Sequence, residues 1–306
     1  MREPVEQLRG MNTNTIAVIG YGTIGESFAK LFAENGYTVK VTDVRDDIDE
    51  LIQKTNAGLA EGSPQIQKVD SVEDAVADAF LVQENGPETL EFKQNMAQTV
   101  YGANPEIIYA SSSSALLPTD IASVLEDAQA AKVLIAHPFN PPHLLPLVEL
   151  VPGERTSDET MTTAREFYEK IGKAAVTLNK EIEGYIANRF QKRILDEAMY
   201  LLNEGIASPE DIDKAMKNSL GIRWSVVGPL EAVNQTTPKG ISFTLEFLRP
   251  SFEKINDLKA YDYGGDDAKR AAAMVEDAYG KGYTPEAAEK RNTYLQRVAE
   301  ALEGRD

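Results

Sequence analysis

The 306-residue sequence has no cysteine, only two histidines and one tryptophan, and few basic residues for its many acids. Without cysteine there is no disulfide framework, no thiolate nucleophile and no cysteine-ligated metal. A cytoplasmic protein without a metal site is therefore expected. With 31 Lys and Arg against 49 Asp and Glu, the formal charge is -18. Nucleic acid and anionic membranes select basic surfaces, so neither is expected as a partner. A small phosphate-bearing molecule stays allowed, because helix N-termini and backbone amides hold phosphates without basic side chains. No apolar run approaches the ~20 residues of a membrane span, and nothing at the start has signal-peptide character. Residues 1–11 are read as a leader or disordered extension and kept out of the fold argument. A chain of this length is expected to form two domains.

What is present begins with Thr15-Ile16-Ala17-Val18-Ile19, a short β-branched apolar run leading into Gly20-Tyr21-Gly22-Thr23-Ile24-Gly25. Ile24, Phe28, Leu31 and Phe32 then share one face of a helix that stops at Asn35-Gly36, and residues 37–42 make a second strand closed by Asp43. A lone GxGxxG is a weak signal. Strand, glycine turn, helix, strand and terminal acid in this order specify a dinucleotide-binding unit. Gly20 permits the tight turn, Gly22 lets the backbone approach a pyrophosphate, and Gly25 lets the helix pack on the strand. Thr23 and Ile24 complete the cofactor-binding turn. Asp43 is placed to accept hydrogen bonds from the adenine ribose and repels a 2′-phosphate, so NAD is expected over NADP. Arg45 nearby pulls the other way.

The alternation continues with helices over 72–79, 90–101 and 157–171 and strands over 80–83, 107–110 and 174–178. From Gly184 the pattern turns helical. Ile186, Phe190, Ile194 and Ala198 make an apolar stripe, Ser208-Pro209-Glu210-Asp211 starts another helix, and 284–302 forms a last one. The fold class is α/β. An N-terminal Rossmann domain with a doubly wound, mostly parallel sheet is expected over 12–182, and an all-helical C-terminal domain over 183–306.

Few groups here can take a proton near neutral pH. His137 ends the apolar run Val133-Leu134-Ile135-Ala136, and proline-rich turns separate it from Glu149 on a second apolar run. A carboxylate reaching the far ring nitrogen would fix the tautomer and stabilise the imidazolium. Ser111-Ser112-Ser113-Ser114 follows a strand at the sheet edge where such folds bind ligands. The run reads either as a polar loop or as a substrate contact, and Ser112 is counted with the cofactor-binding residues. Asn188 and Arg189 are either a surface pair or face the cleft between domains. Arg223, beside Trp224, is either solvated or a bidentate clamp for a substrate carboxylate.

Together these motifs resemble the L-3-hydroxyacyl-CoA dehydrogenase superfamily and, within it, the lambda-crystallin/L-gulonate 3-dehydrogenase branch. The resemblance runs from Thr15 to Pro229. It is carried by Ser-Ser-Ser-Ser-Ala-Leu-Leu-Pro (111–118), His-Pro-Phe-Asn-Pro-Pro (137–142), Pro-Leu-Val-Glu-Leu-Val-Pro (146–152), Glu-Gly-Tyr-Ile-Ala-Asn-Arg (183–189) and Gly-Ile-Arg-Trp with Gly-Pro-Leu-Glu (221–231). It implies His137 as catalytic base, Glu149 as its orienting partner, and Ser114 and Asn188 as substrate contacts. Glu88 and Lys93 match positions on the nicotinamide side of the cofactor, and Arg223 matches an arginine for the substrate carboxylate. The family's helical domain usually forms a homodimer.

One departure bears on substrate. Only 27 residues separate Asp43 from Ser71, where the acyl-CoA enzymes carry a long helical hairpin, and this segment has few basic residues. A small free hydroxy acid, gulonate-like or carnitine-like, is therefore expected over a CoA thioester. The His137 and Arg223 motifs are also similar to those of carnitine 3-dehydrogenases, and Asn-Pro-Pro-His is similar to a run in a pyridoxine-degradation dehydrogenase. The alternatives are a short-chain L-3-hydroxyacyl-CoA dehydrogenase, or a non-catalytic NAD-binding or crystallin-like protein.

Overall fold

The computed structural model describes residues 14–255, 261–280 and 284–302, so the extension expected at 1–11 lies outside the described residues. The chain divides into two compact units between Asn188 and Arg189.

In the first unit β1 (Thr15–Ile19), β2 (Thr38–Thr42), β3 (Gln67–Lys68), β4 (Leu81–Glu84), β5 (Ile108–Ser111), β6 (Val133–Pro138), β7 (Leu147–Pro152) and β8 (Ala174–Thr177) form one sheet. Its order is β3-β2-β1-β4-β5-β6-β7-β8. Every neighbouring pair is parallel except β6 with β7. The helices of this unit are α1 (Thr23–Glu34), α2 (Ile48–Ala57), α3 (Val72–Val76), α4 (Leu90–Ala103), α5 (Pro118–Ala122), α6 (Asp127–Ala130) and α7 (Asp158–Lys170).

β1 is buried along its whole length, as befits a parallel strand covered on both faces. Ile16 and Val18 join a core with Phe28, Phe32, Phe80, Phe167 and Tyr168, whereas Ala17 and Ile19 join a second with Val82, Val100, Tyr109, Ile121 and Ile135. The period of two thus sends alternate residues into two cores. The order reverses between β1 and β4, which opens the crevice where α/β sheets take ligands. α3 is shorter than the helix expected over 72–79. The Asn104 side chain takes the carbonyls of Val76 and Ala79, at 2.8 and 2.9 Å, so the backbone groups there are satisfied without another helical turn.

Among its described residues the second unit has helices and no strand. α8 (Ala187–Asn203) enters it, followed by α9 (Pro209–Lys217), α10 (Leu220–Trp224), α11 (Pro229–Asn234), α12 (Gly240–Phe252), α13 (Asp266–Tyr279) and α14 (Pro285–Ala301). Ser208 caps α9 through the Asp211 amide, as its sequence pattern predicts. Asp196, buried on α8, accepts hydrogen bonds from Lys192 at 2.7 Å and from the Tyr263 hydroxyl at 2.5 Å. Among the described residues no helix is long and apolar enough to cross a membrane.

Candidate active site

The antiparallel pairing of β6 with β7 sets His137 directly opposite Glu149. Cross-strand partners project from the same face, so twelve residues of sequence become a contact. His137 Nδ1 lies 2.8 Å from Glu149 Oε2, and His137 Nε2 lies 3.1 Å from Ser114 Oγ. The other Glu149 oxygen accepts the backbone amides of Ile186 and Ala187, at 2.8 and 3.0 Å, where α8 begins. Burial pushes the Glu149 carboxyl up, but the bond from His137 and the two amides outweigh it and hold the group below its ordinary range. An ionised carboxylate at Nδ1 fixes the proton there and leaves the Nε2 lone pair facing Ser114.

The loop joining the two strands is tied down twice. Lys173, buried, donates to the carbonyls of Pro142 and Leu145, the latter at 3.1 Å, and burial pushes its ammonium down to about 8. The second histidine, His143, bonds Ser27 of α1 through both its backbone amide and Nδ1, at 2.8 and 2.9 Å. Tyr185 completes the wall around His137, its ring centroid 5.2 Å from the imidazole. Its hydroxyl reaches the carbonyls of Ser113 and Leu116, and its backbone takes a left-handed φ of 48°. A non-glycine residue in that region is held by its surroundings.

The serine run resolves into four separate contacts. Ser111 donates to Glu84 at 2.7 Å, Ser112 to Asn85 at 2.7 Å, Ser113 to Glu88 at 2.5 Å, and Ser114 meets His137. Glu88 also accepts the amides of Ser114 and Ala115, each at 3.0 Å, and so fixes the backbone beside His137. Lys93 is 1% exposed, and its ammonium is held by Glu84 at 2.9 Å and the Gly86 carbonyl at 3.1 Å. Sequence reasoning missed Glu84, buried at the end of β4. An acid closing the run that begins Phe80-Leu81-Val82 was its signal. Asn188 Nδ2 lies 3.4 Å from the Ser114 carbonyl. Arg223 is exposed on α10 of the second unit.

The glycine turn fits a dinucleotide. A Cβ on Gly25 would lie 1.9 Å from the Gly20 carbonyl oxygen, and one on Gly20 would meet the Asn85 backbone at 2.9 Å, whereas Gly22 opens onto free space. Gly20 and Gly25 are thus required for packing, and Gly22 leaves room for a phosphate. α1 starts at Thr23 without a side-chain cap, so its first amides, including those of Ile24 and Gly25, are available to an anion. Asp43 sits past the end of β2, accepting the amides of Tyr21 and of Arg45, the latter at 2.9 Å. The Arg45 guanidinium turns to Asp47 and to the Tyr21 carbonyl.

Sequence comparison identifies two family profiles. The one described as 3-hydroxyacyl-CoA dehydrogenase, NAD binding domain, matches residues 15–182, and the 3-hydroxyacyl-CoA dehydrogenase C-terminal domain matches 184–278. The chain is 37% identical to a 3-hydroxyacyl-CoA dehydrogenase of Gibberella moniliformis, over 79% of this chain and 80% of that one. It is 33% identical to an L-carnitine dehydrogenase of Bacillus cereus, over 98% and 96%. It is 36% identical to the lambda-crystallin homolog of Bos taurus, over 74% and 76%. Among solved structures, that of 5-formyl-3-hydroxy-2-methylpyridine 4-carboxylic acid 5-dehydrogenase, an NAD+ dependent dismutase, superposes with a TM-score of 0.82. It is 28% identical, with 96% of this chain and 100% of that chain covered.

Proposed function

Because the chain belongs to the 3-hydroxyacyl-CoA dehydrogenase family, and so is an NAD-dependent dehydrogenase acting on a CH–OH group, we propose that it oxidises the 3-hydroxyl of a small free hydroxy acid to the 3-keto product. The observation that carries this reading is the His137 Nε2 lone pair held 3.1 Å from Ser114 Oγ while Glu149 holds Nδ1. A substrate hydroxyl entering there donates its proton to Nε2. Glu149 stabilises the resulting imidazolium without moving, since its second oxygen stays on the α8 amides. Ser114 donates to the substrate oxygen as negative charge grows on it, and Asn188 Nδ2 is the second donor. Bound NAD supplies the two-electron acceptor. Gly20, Gly22, Thr23, Ile24, Gly25 and Asp43 bind and orient it, with Glu88 and Lys93 ordering the nicotinamide side.

A gulonate-like or carnitine-like acid is favoured over a CoA thioester by the segment after β2. It holds one ten-residue helix, α2, and a two-residue edge strand, β3, with little basic surface for a CoA phosphate. The role of Arg223 as carboxylate partner is carried by the family resemblance. The cytoplasmic location rests on the cysteine-free composition, and assembly as a homodimer is supported by the exposed apolar residues of the helical unit, Leu230 (77%) and Phe247 (69%) among them.

The test is NADH formation with L-gulonate, carnitine, 3-hydroxybutyrate and 3-hydroxybutyryl-CoA, each with the wild type and His137→Gln. Turnover on a free acid that falls by about two to four powers of ten in the variant is the expected outcome. Turnover on the CoA ester alone would return the chain to acyl-CoA oxidation. NAD binding with no turnover on any of the four would favour a binding or crystallin-like role.

A further inference from the structure

The Ser112 hydroxyl belongs to a hydrogen-bond chain that crosses the sheet and ends under the glycine turn. Tyr168 meets Gln83 Oε1, Gln83 Nε2 meets Ser112 Oγ at 2.7 Å, and Ser112 Oγ meets Asn85 Oδ1 at 2.7 Å. Asn85 Nδ2 then reaches the carbonyls of Ile19 and Gln83 at 3.3 and 3.0 Å. The direction of every link is fixed from that end. Carbonyls only accept, so the Asn85 amide nitrogen faces them and its oxygen faces Ser112. That oxygen also only accepts, so Ser112 donates to it and takes its own bond from the Gln83 amide. The Gln83 oxygen is left to accept from Tyr168. Gln83 and Tyr168 are fully buried, and turning any one group leaves a polar atom without a partner.

The end of the chain is where the cofactor enters. Ile19 is the residue before Gly20, and its carbonyl also accepts the Asn85 backbone amide at 2.8 Å. A Cβ on Gly20 would meet Asn85 backbone atoms at 2.9 Å, and one on Gly25 would lie 3.4 Å from Asn85 Nδ2. Asn85 is therefore the floor on which Gly20 and Gly25, two of the three glycines of the turn, rest.

We propose that Asn85, held in one orientation by Ser112 and Gln83, is a positioning residue for the pyrophosphate of the cofactor. Ser112, expected at the cofactor from the sequence, acts through Asn85. This role rests on the dinucleotide lying at the glycine turn, as assigned above.

The test is calorimetric titration of the purified full chain with ADP-ribose, which carries the pyrophosphate but cannot turn over. Ser112→Ala leaves Asn85 Oδ1 and Gln83 Nε2 unpaired and is expected to weaken ADP-ribose on the order of tenfold. Ser112→Thr keeps the hydroxyl and restores affinity to within about threefold of wild type. Tyr168→Phe, at the far end, weakens binding less than Ser112→Ala. Unchanged affinity in Ser112→Ala overturns the proposal and leaves the dinucleotide reading intact. So does a loss in Tyr168→Phe as large as that in Ser112→Ala, which would report general loosening of the sheet. Failure of the wild type to bind ADP-ribose overturns the cofactor placement and the positioning role with it.

Discussion

The two units solve the problem of covering apolar surface in opposite ways. In the first, Phe167 packs with Phe32, Tyr37 and Phe80 at ring separations of 5.4 to 5.6 Å and is 6% exposed. In the second, Phe243 and Phe247 stack on α12 at 6.3 Å, yet Phe247 remains 69% exposed. A sheet covered on both faces needs no further partner. Helices that bury one stripe and still expose rings such as Phe247 leave apolar surface for something else to cover. It follows that the proposed proton-transfer groups, all in the first unit, are held by contacts internal to it.

The largest effect that would sharpen this contrast comes from Glu149→Gln. Both glutamate oxygens only accept, one from His137 and one from two helix amides. A glutamine that keeps its oxygen on the amides turns its NH2 to Nδ1 and forces the proton onto Nε2, the wrong tautomer for a base. Turnover is expected to fall by about two to four powers of ten, with ADP-ribose affinity within about twofold of wild type, because the glycine turn is untouched. Equal loss of binding and turnover would mean that the site is not built as separable parts.

Next come paired truncations read by thermal unfolding. Phe167→Ala removes a ring from a closed aromatic cluster and is expected to cost about 3–5 kcal/mol. Phe247→Ala is expected to stay within about 0.5 kcal/mol when dilution has separated the chains, since the ring is mostly exposed within one chain. If Phe247→Ala costs as much as Phe167→Ala, its face is covered in solution. Sedimentation of Phe247→Asp then decides whether a second copy covers it. The expected outcome is a wild-type mass of two chains and a variant mass of one.

Much of the fold could be read because its signals are local. The glycine turn, the apolar run of β1 and the Ser208 cap each lie within a few residues, and each forms where expected. The pairing of His137 with Glu149 needed the antiparallel register of β6 and β7, which prolines between two apolar runs only suggest. Glu84, Asn85, Gln83 and Lys173 escaped notice because their partners are remote. Gln83 meets Tyr168 across 85 positions, and Lys173 reaches a loop about thirty residues away. A buried polar group is satisfied by whatever the fold brings near it, and no spacing announces that. Lys93 shows the converse. Its place in the motif was legible, but the carboxylate that holds its ammonium was not.

The smallest effect separates the units by their response to acid. Exposed pairs of the second unit, such as Lys269 with Asp266 at side-chain exposures of 74% and 85%, are solvated in both states and contribute little. Glu149 is different, because His137 and the α8 amides outweigh its burial and hold its carboxyl below the ordinary 4.5. A group whose folded value is lowered gives stability that is complete above its unfolded value and drains as pH falls through the folded one. Its share is therefore present at neutral pH and lost below about 4.5. Denaturant unfolding from pH 7 down to 3.5 should show wild type losing more stability below 4.5 than Glu149→Gln, which has no carboxyl to protonate. Parallel curves for the two proteins would mean that Glu149 is no better held in the folded state than the exposed carboxylates of the helical unit.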